Sequence, residues 1–159
     1  MKAFLVVILA GATAALTIVV RVPIPGTGGY FNFGDIAVVF CGLFLGMKYG
    51  PVAGGVGSAL ADIIGGFFIF APVTLVAKGL EGFLAGFLGQ FRMKIVLLPL
   101  AGFAMMAVYF ISEVFLPGMG FASALSELPF NLIQAIAGAY GGYLVYAAVM
   151  RALKKKEVK

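Results

Sequence analysis

The chain has 159 residues, of which 63% are apolar and only 11% charged, and it carries 23 glycines besides. A soluble domain averages roughly 45–50% apolar residues with glycine included, and about 25% charged. This composition cannot cover a water-facing surface with polar groups, so it excludes a soluble globular domain and a disordered chain alike and makes a bilayer the natural solvent. Histidine is absent and Cys41 is the single cysteine, which excludes disulfide frameworks, the usual zinc sites and His-dependent nucleophilic catalysis.

The apolar segments predict an all-α integral membrane protein, with residues 1–159 forming one transmembrane domain of six spans. The first covers residues 3–20 and ends at Arg21, Pro23 and Pro25; it reads as a span rather than as a removed leader. The second, 35–49, is short and glycine-rich. The third, 52–70, opens with Pro51 in its first turn, where a missing N–H costs little. The fourth, 72–88, also opens with proline and follows a very short link. The fifth covers 94–115 and stops before Pro117-Gly118; the sixth covers 128–153, with Pro129 in its first turn.

An even number of spans with a cytoplasmic N-terminus puts Lys2, Lys48, Arg92, Lys94, Arg151, Lys154, Lys155, Lys156 and Lys159 inside, Arg21 outside and Lys78 within a span. Cations concentrate on the cytoplasmic side of membrane proteins, so this asymmetry predicts both termini in the cytoplasm of a multi-pass plasma-membrane protein. The net charge of +5 is then a topology signal and not a nucleic-acid footprint. The longer links, 21–34 and 116–127, fall outside.

Polar and ionisable groups inside a membrane are costly and mark pairs or cavities. Here they are Asp62, Lys78, Glu81, Tyr109, Glu113, Asn131 and Gln134. At about 1.5 Å of rise per residue, Lys78 and Glu81 lie roughly 9 and 14 Å below the outer end of their span, and Asn131 and Gln134 roughly 5–10 Å below theirs. The pairs 78/81, 109/113 and 131/134 have i,i+3 or i,i+4 spacing, so each helix presents one polar stripe, all in the outer half. No polar path continues to the inner side, which argues against a channel and for an outward-facing pocket. Tyr30, Phe31, Phe33, Phe67, Phe68, Phe70, Tyr109, Phe110 and Phe130 could wall it for a flat, conjugated ligand. Asp62 is either a structural partner of Lys78 or a ligand contact. No metal site and no phosphate-binding loop are present, so an ATPase driving transport would be another chain. Span one carries two small-xxx-small pairs, Ala10/Ala14 and Gly11/Ala15, which suit either internal packing or docking to another membrane protein.

Several runs carry a family resemblance: Asn32-Phe33-Gly34-Asp35-Ile36, Gly42-Leu43-Phe44-Leu45-Gly46 through Gly50-Pro51, Gly57-Ser58-Ala59-Leu60-Ala61-Asp62, Ala71-Pro72-Val73-Thr74 through Lys78-Gly79, and Pro129-Phe130-Asn131-Leu132-Ile133-Gln134. In this order they resemble the substrate-binding S components of energy-coupling factor (ECF) vitamin transporters, and within those the riboflavin-type group. The resemblance implies a non-enzymatic capture subunit that binds riboflavin from outside. The same role for a thiamine-precursor pyrimidine or pyridoxine is the alternative. A transmembrane coupling subunit and two ATPase subunits, which use the ATP, would drive delivery inward; the chain itself would need no cofactor. It places the ligand site at Tyr30, Phe31, Asn32, Lys78, Glu81, Tyr109, Glu113, Asn131 and Gln134, and the coupling-subunit contact at Ala10 and Ala14. Two other classes stay open on the residues alone: a stand-alone permease carrying protons on Asp62, Glu81 or Glu113, and a structural membrane protein without a ligand.

Overall fold

The computed structural model describes residues 2–157, without the side chain of Glu157; the inside assignment of Lys159 lies outside the described residues. The elements are α1 (Lys2–Val19), a small hairpin of β1 (Arg21–Pro23) and β2 (Tyr30–Asn32), α2 (Gly34–Ile64), α3 (Ala71–Leu88), the single turn α4 (Lys94–Leu97), α5 (Pro99–Phe115) and α6 (Phe121–Glu157). Five segments are long and apolar enough to cross a membrane: α1, α2, α3, residues 94–115 and α6. Their outer faces carry large apolar side chains such as Phe4, Val7, Val19, Phe115 and Leu144, as lipid contact requires.

The second and third expected spans form one element, α2, broken at Gly46, whose φ of 76° and ψ of −179° are open to glycine and strained for other residues. A Cβ built on Gly50 would lie 2.6 Å from the Cα of Gly42, and one on Gly54 would lie 2.9 Å from Val38 Cγ1. Positions that far apart in a continuous helix would be separated by more than about 12 Å. The chain therefore folds back at Gly46, ahead of the turn expected at residues 50–51, and Pro51 lies inside the returning arm, five residues past the break, rather than in its first turn.

Three further boundaries depart from expectation. The returning arm stops at Ile64 instead of Phe70, because Gly65 caps it and Gly66 takes a φ of 82°. Leu98-Pro99 divides the fifth segment into α4 and α5. The helix α6 starts at Phe121, so Pro129 lies inside it and the link expected at 116–127 shrinks to 116–120. Proline there removes one helical hydrogen bond, to the Leu125 carbonyl, which in a membrane helix is a site of kinking rather than of termination.

Small residues bring the helices together. A Cβ on Gly55 would lie 2.9 Å from the Leu75 carbonyl oxygen, one on Gly82 would lie 3.1 Å from that of Gly50, and one on Gly102 would lie 2.6 Å from the Cα of Ala135. Backbones that approach this closely gain contact without a hydrophobic driving force, as packing in lipid demands. A dry cluster of Val39, Ala85, Leu98, Ala101 and Ala139 fills the end of the bundle away from the β-hairpin, and Ala77, Met105 and Ala135 form a second cluster.

Candidate functional site

The hairpin end holds the polar residues. There α1 ends, both arms of α2 begin or end, α3 and α6 start and α5 finishes. The hairpin covers this end, its six-residue loop closed by hydrogen bonds from Ile24 N to Gly29 O (3.1 Å) and from Thr27 N to Ile24 O (3.2 Å). Asn32 ties it to α2: its side-chain oxygen accepts from the Gly34 N–H at 2.7 Å, an Asx turn that satisfies one free donor of the helix start.

Beneath the hairpin lies a cavity of about 30 Å³, room for about two water molecules. It is lined by Thr17 of α1, Gly29, Tyr30 and Asn32 of the hairpin, Ser58 and Asp62 of α2, Phe70, Thr74 and Lys78 of α3, Tyr109 and Glu113 of α5, and Glu127, Asn131 and Gln134 of α6. A larger hollow of about 410 Å³ lies beside it, between Phe67–Phe70 and Pro117–Met119, and Phe70 lines both.

Of the expected ligand residues, Tyr30, Asn32, Lys78, Tyr109, Glu113, Asn131 and Gln134 meet at this cavity, and so does Asp62. Two do not line it. Phe31 packs edge-on against Phe33, with ring centroids 5.1 Å apart. Glu81 is fully buried beside Lys78, its oxygen 3.8 Å from the ammonium group. Glu127, Thr17, Ser58 and Thr74 join the lining although they were not expected there. Hydroxyl residues are common in membrane helices and give no sequence signal; Glu127 had been placed at the edge of a loop.

The ion pairing differs from expectation. Lys78 bonds Asp35, at the start of α2, rather than Asp62. Asp35 in the first helical turn also benefits from the positive end of the helix dipole. Its other oxygen accepts from Gln134 Nε2 at 3.3 Å, and Gln134 Oε1 accepts from the Asn32 backbone N–H at 2.6 Å. A single chain of contacts thus joins the hairpin, α6, α2 and α3. Asp62 instead accepts a hydrogen bond from the Tyr30 hydroxyl. Burial and the neighbouring Asp62 hold the Tyr30 phenol above the usual tyrosine range, so it stays a donor. The guanidinium of Arg21 lies 4.4 Å over the Tyr30 ring and 4.9 Å from that of Phe67, and it donates to the Ala61 carbonyl at 3.0 Å. Tyr109 donates to Thr74 Oγ1 at 2.8 Å.

Ala10 and Ala14, expected on a docking surface, are buried against α2. Gly57 has no Cβ, and this lets the Ala10 backbone sit directly over it; an added Cβ would lie 2.8 Å from Thr13 Cβ. The second small pair of α1, Gly11 and Ala15, is exposed, together with Ala12.

Apolar helices surround a polar cavity and pack on small and apolar residues toward the far end, an arrangement that suits a membrane-embedded pocket and not a path lined from side to side. The sequence comparisons specify the class: the family described as ECF-type riboflavin transporter, S component, matches residues 2–151, and the chain belongs to it. It is thus a multi-pass membrane protein from a family of transport subunits rather than of enzymes. An uncharacterized protein of Pyrococcus woesei is 39% identical over 140 residues, covering 85% of this chain and 93% of that one. The thiamine precursor transporter HmpT of Lactococcus lactis is 31% identical over 117 residues, covering 73% of this chain and 68% of that one. The S component of a bacterial ECF transporter shares the fold, with a TM-score of 0.71 at 19% identity over 96% of this chain and 97% of that one.

Proposed function

We propose that this chain captures a flat heteroaromatic vitamin from the outer face of the cell membrane and passes it inward with a coupling subunit and two ATPases. The observation that carries this reading is the polar cavity under the hairpin, built by every long helix of an S-component family member. On this proposal the two arms of α2 are separate spans, six in all within one transmembrane domain, with both termini on one side. That side collects Lys2, Lys48, Arg92, Lys94, Arg151, Lys154, Lys155 and Lys156, while Arg21 lies at the hairpin end. The positive-inside rule then makes the cationic end cytoplasmic and turns the cavity outward. The coupling subunit meets α1 on its exposed Gly11, Ala12 and Ala15, since Ala10 and Ala14 are used within the bundle.

Vitamin pockets are commonly about 300–1,000 Å³. A cavity of about 30 Å³ must therefore widen to admit a ring. The hairpin is the element to move, held by Tyr30 on Asp62 and Asn32 on Gln134. Riboflavin is the first substrate to test, on the strength of the matching family. A thiamine-precursor pyrimidine is the second, favoured by the likeness to HmpT and by the narrow cavity. Pyridoxine completes the set. Equilibrium binding to the purified chain is the test. Binding of one of the three at micromolar concentration or tighter is expected, and failure of all three overturns the reading.

A further inference from the structure

Five carboxyl groups are buried in this bundle: Asp35, Asp62, Glu81, Glu113 and Glu127, each at most 3% exposed. Lys78 serves the first and third, and Asp62 has the Tyr30 hydroxyl. Glu113 and Glu127 have no such partner. Both oxygens of Glu113 and Oε1 of Glu127 are buried without a hydrogen bond, although Glu113 is 1% exposed and Glu127 is 3% exposed. The two carboxyls come from different helices, α5 and α6, and both line the same cavity.

An unpartnered buried carboxylate is among the costliest groups a protein can hold. Two together, from different helices and aimed into the same cavity, call for a positive or proton-donating group between them. The cavity is also polarised along its depth. Gln134 and its neighbours Asp35 and Lys78 form one end. Glu127 sits seven residues earlier on α6, roughly 10 Å nearer the start of that helix, and lies against Gly29 of the hairpin loop, while Gln134 meets the strand at Asn32. The Gln134 end is tied into the Asp35–Lys78 network, whereas the Glu113 and Glu127 end holds acid oxygens without hydrogen-bond partners.

We infer that Glu113 and Glu127 form a recognition subsite for a cationic or N–H-donating nitrogen on the captured ring, an exocyclic amine or amidine-like group. This inference rests on the capture reading above. A protonated nitrogen between two carboxylates makes two charge-assisted hydrogen bonds, which are shorter and stronger than neutral ones. A hydroxyl in the same place makes weaker bonds and leaves the acid pair uncompensated, so the subsite selects amine over alcohol.

The test uses the full chain in lipid nanodiscs and matched ring compounds that exchange an amine for a hydroxyl. Pyridoxamine against pyridoxine is one pair, and an aminopyrimidine methanol against its hydroxypyrimidine counterpart is the other; riboflavin is the neutral reference. In at least one pair the amine should bind about tenfold tighter or better, from charge-assisted bonding. Glu113→Gln and Glu127→Gln, each an uncharged isostere, should bring the ratio to within about threefold while the melting temperature is kept. Two variants on different helices guard against one failing to fold. Equal binding of amine and alcohol, persistence of the preference in both variants, or riboflavin outcompeting every amine overturns the subsite and leaves vitamin capture standing. If neither riboflavin nor any of the ring compounds binds, capture itself fails, and the subsite with it.

Discussion

Replacing Lys78 by methionine tests the central ion pair. Lys78 is 2% exposed, with Asp35 at 1% and Glu81 at 0% on either side. Its ammonium group bonds Asp35 and lies 3.8 Å from Glu81. Methionine keeps the length and apolar stem of lysine, so packing changes little and the loss is electrostatic. Removing one partner of a buried pair costs about 3–5 kcal/mol, because the remaining charge is left uncompensated. At about 2–4 °C per kcal/mol for a chain of this size, the melting temperature should fall by roughly 6–20 °C. Thermal unfolding of the purified protein in detergent reads this directly. The double variant Asp35→Asn, Lys78→Met removes both members of the direct bond and should recover at least half the loss, since an amide can still accept from Gln134. A fall of less than about 2 °C, within the spread for an unimportant surface pair, would refute the reasoning. So would a double variant less stable than the single one.

The contact of α1 with α2 gives a paired prediction. Gly57→Val drives side-chain atoms into the Ala10 backbone and the Thr13 side chain and should destabilise the chain by about 1–3 kcal/mol. Gly11→Phe has open space at its Cβ and stays apolar on an exposed face of the span, so it should leave vitamin binding and melting unchanged; co-purification with the coupling subunit should be lost, and retained co-purification removes that face from the interface. Tyr30→Phe deletes the donor to Asp62 and leaves that buried acid unpaired, at about 1–3 kcal/mol. Stopped-flow binding should show faster ligand entry and exit as the hairpin loosens; unchanged rates would show that Tyr30 does not hold it closed.

Rarity made the site legible. Lysine, acids and amides stand out in so apolar a chain, and helical spacing put Lys78, Tyr109, Glu113, Asn131 and Gln134 on converging stripes. Partner choice was not legible. Asp35 lies 43 residues from Lys78 in sequence, at a helix start where an acid is ordinary, so nothing local marked it as the counter-ion. Glu127 was hidden for another reason. Pro129 suggested a helix beginning there, which left Glu127 in a loop, whereas α6 runs through the proline. Proline is the stronger local signal and points to a fold-back at Pro51; Gly46 carries it instead, at a positive φ open to glycine. The use of Ala10 and Ala14 inside the bundle depends on Gly57, far away in sequence, and small-residue spacing alone cannot choose between the two faces of α1.

The burial of the acids has a consequence for ionic strength. Both ion pairs among the described residues are internal. At the end away from the hairpin, Lys2, Lys48, Arg92, Arg151, Lys154, Lys155 and Lys156 are exposed, and no acid among the described side chains stands beside them to neutralise them. Among the described side chains every acid is thus held inside, with Lys78 among them, while most other cations stand exposed at the end away from the hairpin. Exposed charges are screened beyond about 10 Å at 0.1 M salt, while buried ones are screened far less. Added salt should loosen the grip of the cationic end on anionic headgroups or an acidic partner while leaving the internal network and its cavity nearly untouched. One solution variable thus separates what holds the protein in place from what it holds.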